Sequence, residues 1–371
     1  MGASQVIYIR TDGNRDIAAG HIMRCLTIAH ELITMGQSVC FLVSDEKSLS
    51  ILCKQNSSVM IVSDVHAYEE FKSNIYAYIL PNANYQNPDS ELPELLSLFR
   101  KHPGTLLIDS YYVTDNYLKS LHSVTKTAYI DDIRSFEYTA DLLINYDCFT
   151  EKMCTEYKNG IYKNIPTLLL GAEYAPLRPQ FLNNCIKLKQ DVKNIFVTTG
   201  SSDPYHFLLR FCQNLLADCK SVSYDYHMII GSLNTDFDVL KDLVQNYPNI
   251  HLHKGLTDLM PLMLTCDLGI TAGGTTLYEL CSLGIPSFSF SMADNQFSNP
   301  AILDELDIVP YGGDIRTEIE LVLAKCFAFI TEYSQDFAKR KAVHTKMNSL
   351  INGDGAKKIA KAILALQRNP K

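Results

Sequence analysis

Residues 268–290 read LGITAGGTTLYELCSLGIPSFSF, and their reading decides the fold. An apolar run at 268–271 stops at Gly273-Gly274, a helically spaced stretch follows at 277–283, Gly284-Ile285-Pro286 ends it, and a second apolar run occupies 287–290. Strand, tight turn, helix and strand in that order make one parallel unit, because the helix returns the chain to the same end of the sheet.

The alternation extends in both directions. Apolar runs at 195–199, 226–230 and 250–253 precede this unit as strands, with helices expected at 206–217, 237–244, 259–264 and, beyond it, 318–329. An earlier series has runs at 6–9, 39–43, 105–108, 127–130, 142–144 and 167–170, with helical spacing at 22–34 and 115–121. Buried parallel strands alternating with helices call for sheets covered on both faces. A lysine-bearing segment at 183–193 separates the two series and puts the boundary near 176–192. The expectation is an α/β chain of two doubly wound, Rossmann-like domains, 1–180 and 190–350, facing each other across a cleft. The tail, 354–371, carries Ala356, Ile359, Ala360, Ile363 and Leu364 on one helical face and is expected to cross back to the N-terminal domain.

Composition narrows the class. With 371 residues, 47% hydrophobic and 20% charged, the chain has the makeup of a folded two-domain protein. A formal net charge of -8 repels a polyphosphate in the far field, so no nucleic-acid partner is expected. Eleven cysteines without a C-x-x-C pair read as small buried hydrophobes in a reducing compartment. No apolar run approaches the length of a membrane span, and charges from Arg10 onward leave no room for a secretory leader. A cytoplasmic location and no membrane partner are expected.

Chemistry-bearing residues sit after the strands. Past the first strand, Arg10 and Asp12 lead to Gly20, His21 and Arg24. Gly20 permits a tight entry to the helix, and His21 in its first turn reads either as a base kept neutral by the helix dipole or as a polar residue near a helix start. Gly273, Gly274, Thr275 and Thr276 read either as a phosphate-binding helix start or as a tight turn, with Glu279 one turn further on, where a carboxylate reaches ribose hydroxyls. Gly200 and Ser201 form a second small-residue loop, and Asp294, Asn295 and Gln296 end the strand at 287–290. Asp109-Ser110-Tyr111 ends the strand at 105–108, where Tyr111 either offers a phenol to a sugar or packs at the sheet rim. Asp131-Asp132 ends the next strand and orients a neighbour or caps its turn. Neither G-x-x-x-x-G-K-[ST], nor G-x-G-x-x-G after the first strand, nor G-x-S-x-G occurs. His251 and His253 share one strand face, but no cysteine or carboxylate cluster flanks them, so no metal is expected.

Taken in order, these motifs resemble the UDP-2,4-diacetamido-2,4,6-trideoxy-β-L-altropyranose hydrolases of the pseudaminic acid pathway, the PseG type, which includes SpsG-like spore-coat polysaccharide proteins. The matching residues are Arg10, Asp12, Gly20, His21 and Arg24; Asp109, Ser110 and Tyr111; Asp131-Asp132; Gly171, Tyr174 and Leu177 to Phe181; Thr199 to Asp203; Gly273 to Glu279; and Ala293 to Gln296. The resemblance implies the GT-B fold, related to the MurG-type glycosyltransferases, with UDP on the C-terminal domain and neither cofactor nor metal. It implies that His21 is the catalytic histidine and that Tyr111 and Asn295 contact the sugar or the attacking water. The residues near 74–93 look like an addition to the compact members.

The function implied is inverting hydrolysis of a UDP-activated amino sugar by a monomer or weak homo-oligomer. A GT-B glycosyltransferase and a non-catalytic nucleotide-sugar-binding protein are the alternatives.

Overall fold

The computed structural model describes residues 6–13, 20–63, 65, 74–102, 104–217, 224–256 and 258–367. The chain divides into two compact units, Met1–Pro179 with Asp354–Lys371, and Gln180–Gly353.

The first unit is built on an eight-stranded sheet. Its strands are β1 (Ile7–Thr11), β2 (Val39–Val43), β3 (Met60–Ile61), β4 (Ile75–Ile79), β5 (Thr105–Asp109), β6 (Lys126–Ile130), β7 (Leu142–Asn145) and β8 (Thr167–Leu170). They lie in the order β3-β4-β2-β1-β5-β6-β7-β8, and every pair is parallel. The pleat sends alternate residues to opposite faces. Ile7 and Ile9 of β1 and Val39, Phe41 and Val43 of β2 join one apolar cluster, while Tyr8, Cys40 and Leu42 join another. Helices α1 (Gly20–Thr34) and α2 (Glu46–Gln55) supply the first cluster; α3 (Leu92–Lys101) and α4 (Asp115–His122) supply the second. Helix α5 (Glu151–Asn159) buries none of its residues.

The second unit has a six-stranded sheet of β9 (Asn194–Thr198), β10 (Asp225–Ile230), β11 (Ile250–Lys254), β12 (Leu268–Ala272), β13 (Ser287–Ser291) and β14 (Tyr311–Asp314). The order is β11-β10-β9-β12-β13-β14, again all parallel. Its helices are α6 (Phe207–Ala217), α7 (Phe237–Val244), α8 (Met260–Met263), α9 (Thr275–Leu283), α10 (Ser298–Glu305), α11 (Ile315–Gln335) and α12 (Phe337–Leu350). Gly284 closes α9 at φ +67°, the left-handed cap a side chain would strain, so Ile285 can turn directly into β13.

After α12 the chain returns to the first unit as α13 (Gly355–Gln367). Ala356, Ile359, Ala360 and Ile363 are buried in the same cluster as Ile22, Leu26 and Ala29 of α1. Small residues at Gly355 and Ala356 permit this seating: a side-chain carbon on Gly355 would fall 2.2 Å from the Ala175 carbonyl oxygen.

The sequence reading did not name β3, β4, β14, α2, α3, α5, α10 or α12, and two of these matter most. Residues 74–93 are no appendage: Ile75 to Ile79 form β4, hydrogen-bonded to β2 in the body of the sheet. Residues 337–350 form a helix that the sequence reading missed, in which Arg340 is buried and donates to the carbonyls of Ser334, Lys189 and Gln190. The ten cysteines in the described residues are free; Cys219 lies outside them. Among the described residues, no helix is long and apolar enough to cross a membrane.

The seating of α13 yields an expected outcome. Ile359 is fully buried, so Ile359→Ala should cost about 2–5 kcal/mol. Urea unfolding should show a lowered midpoint for the first unit with the second unit's transition unmoved; unchanged midpoints would mean that α13 is not part of that core.

Candidate functional site

Open parallel sheets place ligands at the carboxyl ends of their strands, where the strand order reverses direction. In the first unit that point lies between β1 and β5; in the second, between β9 and β12. The candidate residues of each unit gather there.

In the first unit the register sets Thr11 beside Asp109, the last residue of β5. His21 is the second residue of α1 and is 3% exposed. Its Nδ1 lies 2.5 Å from Asp109 Oδ1. Residues 21, 24 and 25 share one helical face, and all three meet that carboxylate: Arg24 Nε donates to Oδ2 at 2.7 Å, Arg24 Nη2 donates to Oδ1, and Cys25 Sγ lies 3.2 Å from Oδ2. Arg24 also donates to Asp132 at 3.1 and 2.5 Å, and to the Tyr146 hydroxyl. One guanidinium thus joins the ends of β5, β6 and β7.

Burial works to raise the Asp109 carboxyl, but the charge of Arg24 and the hydrogen bonds from Arg24 and His21 outweigh it and hold it well below the usual carboxylate range. An ionised Asp109 at 2.5 Å requires the hydrogen of a neutral His21 to sit on Nδ1. The lone pair then lies on Nε2, which is buried and has no hydrogen-bond partner among the described residues. Tyr111 packs its ring edge-on to His21, with centroids 4.4 Å apart at 82°. Burial, then Asp132, pushes the Tyr111 phenol above its ordinary value, so at neutral pH it remains a donor.

His21, Asp109 and Asp132 bring ligand atoms within 4.8 Å of one another. Arg24 bonds both carboxylates, so the cation at this position is the guanidinium. Arg24, expected at the ligand, instead positions Asp109 and Asp132. Arg10 and Asp12 are likewise corrected. Arg10 is 4% exposed and donates to Glu91 at 2.6 and 2.9 Å and to Asp12 at 2.6 Å, while Asp12 accepts from the Ser44 amide at 2.7 Å. They form a closed ion network on the α3 face of the sheet. Among the described residues, a side-chain carbon at Gly20 would meet nothing within 4 Å.

The sequence places Asp109 at a strand end without a role and carries no local signal for Tyr146 or Tyr85. Tyr85 is 9% exposed, stands edge-on to Tyr112 at 4.9 Å, and has a buried hydroxyl without a partner among the described residues. No local signal marked it among 21 tyrosines. Asp131 turns inward and accepts from the hydroxyls of Tyr138 and Tyr162, leaving Asp132 to face Arg24.

In the second unit, residues 200–201, 273–276 and 293–296 follow the adjacent strands β9, β12 and β13. The expected phosphate-facing amides need correction. Gly273 N–H donates to the Phe290 carbonyl, Gly274 N–H to that of Ala272, and Gly200 N–H to Thr198 Oγ1. The amides left without intrahelical acceptors are those of Thr275 and Thr276, in the first turn of α9. Gly273 is required by packing, since a side-chain carbon there would fall 2.5 Å from Pro300 and 2.8 Å from the Gln296 carbonyl oxygen. Gly200 has φ +93°, and the Ser201 side chain is exposed. Glu279 is buried at 6% exposure, one turn into α9. Gln296 lies beside Gly274 and accepts from the Met292 amide at 3.2 Å. Asn295 is exposed, and exposed Asp294 pairs with Arg316 at 2.7 Å. Asn295 therefore belongs to the second unit, His21 and Tyr111 to the first.

No family model matches the chain. It is 25% identical over 295 residues to an uncharacterized protein of Methanocaldococcus jannaschii, covering 76% of this chain and 54% of that protein, so it spans about half that relative's length. It is 22% identical over 292 residues to the spore coat polysaccharide biosynthesis protein SpsG of Bacillus subtilis, covering 78% of each. Among solved structures, MurG of Acinetobacter baumannii matches with a TM-score of 0.64 at 12% identity, over 97% of this chain and 99% of that one. The UDP-GlcNAc 2-epimerase of Neisseria meningitidis, solved with UDP-GlcNAc, matches with a TM-score of 0.59 at 14% identity, over 97% and 100%. The two parallel-sheet units have the GT-B fold.

Proposed function

We propose that this chain hydrolyses a UDP-linked 2,4-diacetamido-2,4,6-trideoxy sugar at the anomeric C–O bond with inversion, releasing UDP and the free sugar for nonulosonic acid or surface polysaccharide synthesis. The observation that carries the reading is the state of His21: Nδ1 is fixed by Asp109, and the lone pair on Nε2 is buried without a partner among the described residues. The motif resemblance supplies the sugar, and the similarity to a spore coat polysaccharide protein supports the setting.

In this reading a water attacks the anomeric carbon as its proton passes to His21 Nε2, and the electron pair of the breaking C–O bond leaves with UDP. Asp109 stabilises the imidazolium that forms, as the orienting carboxylate does in acyl-transfer triads. A positioned base of this kind is worth roughly 10²–10⁴ in rate. Tyr111, the protonated phenol against the ring, orients the water or a sugar hydroxyl. The departing diphosphate gains charge, and in this reading the Thr275 and Thr276 amides, their hydroxyls and the α9 dipole bind it; one such donor is worth on the order of 10²–10³. Glu279 takes the ribose hydroxyls, and Asn295 and Gln296 contact the sugar side.

A second reading follows from the MurG likeness. The same base would activate an acceptor hydroxyl instead of water, making the chain a glycosyltransferase. Incubation with the UDP-diacetamido sugar and with UDP-GlcNAc, without acceptor, separates the two by NMR. Free UDP together with the inverted free sugar supports hydrolysis; intact substrate that turns over only when an acceptor is added supports transfer.

His21→Ala should abolish sugar release, by at least roughly 10²-fold, while calorimetric UDP affinity is retained; near-wild-type turnover would remove the base assignment. Asp109→Asn should lower kcat far more than it raises KM and should reshape the acid limb of the pH–rate profile. A pure loss of thermal stability with normal kcat would reduce Asp109 to a structural role. Glu279→Gln should weaken UDP binding, and an unchanged affinity would dismiss its contact with the ribose.

A further inference from the structure

In the first unit's sheet β2 and β1 lie between β4 and β5, and the chain that leaves β4 crosses the carboxyl ends of both. The Leu80 amide donates to the Val43 carbonyl at the end of β2. Glu91 takes the Arg10 guanidinium of β1, and Asp89 accepts from the Thr114 hydroxyl, beyond β5, at 2.9 Å. The Tyr117 hydroxyl, 2.6 Å from Glu91, ties the same end to α4. The buried Arg10–Glu91 pair thus pins residues 80–91 across the strand ends where His21 and Asp109 stand.

Tyr85 is the aromatic residue that this segment brings to that edge. Its ring stands edge-on to Tyr112 at 4.9 Å, while Tyr111 stands edge-on to His21 at 4.4 Å. Two consecutive residues of one loop therefore cover two buried groups, and each of those groups has a polar atom without a partner among the described residues, Tyr85 Oη and His21 Nε2. Burial first, and then Tyr112, Tyr111, Asp109 and Asp12, push the Tyr85 phenol up, so at neutral pH it is a protonated donor in the surroundings of the His21 site. A buried hydroxyl without an acceptor forfeits the hydrogen bond that water gave it, and a ligand that supplies an acceptor restores it.

We propose, on the reading of this chain as an enzyme of a UDP-diacetamido sugar, that Tyr85 is a specificity-determining residue whose hydroxyl donates to the carbonyl oxygen of a substrate acetamido group, with the acetamido methyl against the Tyr85 and Tyr112 rings. An acetamido group joins an acceptor oxygen to an apolar methyl, and the segment offers one phenolic donor beside aromatic carbon. A sugar hydroxyl lacks the apolar end. An ammonium brings donors alone and leaves the phenol proton without an acceptor. Tyr112 is 41% exposed, and rotation of its side chain, a fast motion for exposed residues, opens the phenol to the sugar. A site built to hydrogen-bond one substrate group discriminates against analogues that lack it.

The test uses Tyr85→Phe, which deletes the hydroxyl and keeps the ring. Calorimetry in the His21→Ala background, where turnover is expected to be lost, measures affinity for the UDP-diacetamido sugar, for counterparts carrying hydroxyls or amines in place of both acetamido groups, and for UDP. Tyr85→Phe should weaken binding of the diacetamido ligand about 3- to 10-fold and leave the dihydroxy counterpart and UDP unchanged. No preference of the parent for the diacetamido ligand overturns the proposal, as does an unchanged affinity in Tyr85→Phe, an equal loss for every ligand, or a larger loss for the diamino counterpart. Because the hydroxyl has no partner in the free protein, Tyr85→Phe should melt no lower than its parent; a lowered Tm assigns the hydroxyl a structural role and overturns the proposal as well. With His21 intact, kcat/KM for the UDP-diacetamido sugar should fall by the same factor as the affinity. Absence of turnover there rejects hydrolysis alone, since calorimetry reads the acetamido contact without it.

Discussion

The Asp109 carboxylate is the group on which the first unit's candidate site depends. It is 1% exposed at the end of β5 and would be costly to bury ionised without compensation. Compensation comes from one face of α1, through His21, Arg24 and Cys25. The same contacts that make the buried charge tolerable also hold the His21 ring in one orientation, with Nε2 left without a hydrogen-bond partner among the described residues. Stability of the buried charge and readiness of the imidazole are two consequences of one arrangement. Arg24 extends it sideways to Asp132 and Tyr146, so that one guanidinium links three strand ends.

The second unit solves a different problem with similar topology. Its strand-order reversal also lies beside the strand nearest the start of its series, and its helix α9 begins where β12 stops. Gly273 there serves close packing, and the amides left without intrahelical acceptors are those of the threonines that follow. Of the Gly-Gly pair, Gly273 brings the chain close to Gln296 and Pro300, whereas a side-chain carbon at Gly274 would make only an ordinary contact with Gln296 at 3.9 Å.

Much of this was legible locally. The strands of both sheets that bury both faces are short β-branched and aliphatic runs, and the turn residues between them are Gly, Pro, Asp and Ser, so their order and direction could be read. β4 escaped because Ile-Tyr-Ala-Tyr-Ile alternates two tyrosines with aliphatics and sits in a polar, asparagine-rich neighbourhood. Helix α12 escaped although FAKRKAVHTKMNSL has Val343, Met347 and Leu350 at helical spacing and only four charged residues; among these Arg340 is buried against the carbonyls of Lys189 and Gln190, a long-range arrangement that no local pattern shows. Among site residues, His21, Tyr111 and the 273–276 turn stood next to glycine or strand-end signals. Tyr85 had no such signal, and Asp109 had a place without a partner.

The sequence by itself determined the α/β class, the two series of parallel strands, the apolar face of the last helix and the side of each sheet on which polar loops would fall, because period and turn chemistry are local properties. Which charges meet was decided by the tertiary structure. The pairing of Asp109 with His21 joins residues 88 positions apart, that of Arg10 with Glu91 joins residues 81 apart, and His227 reaches His253 only across two strands in register. Burial of an ionised group depends on what surrounds it from every direction, and no one-dimensional pattern contains that information until the chain has folded.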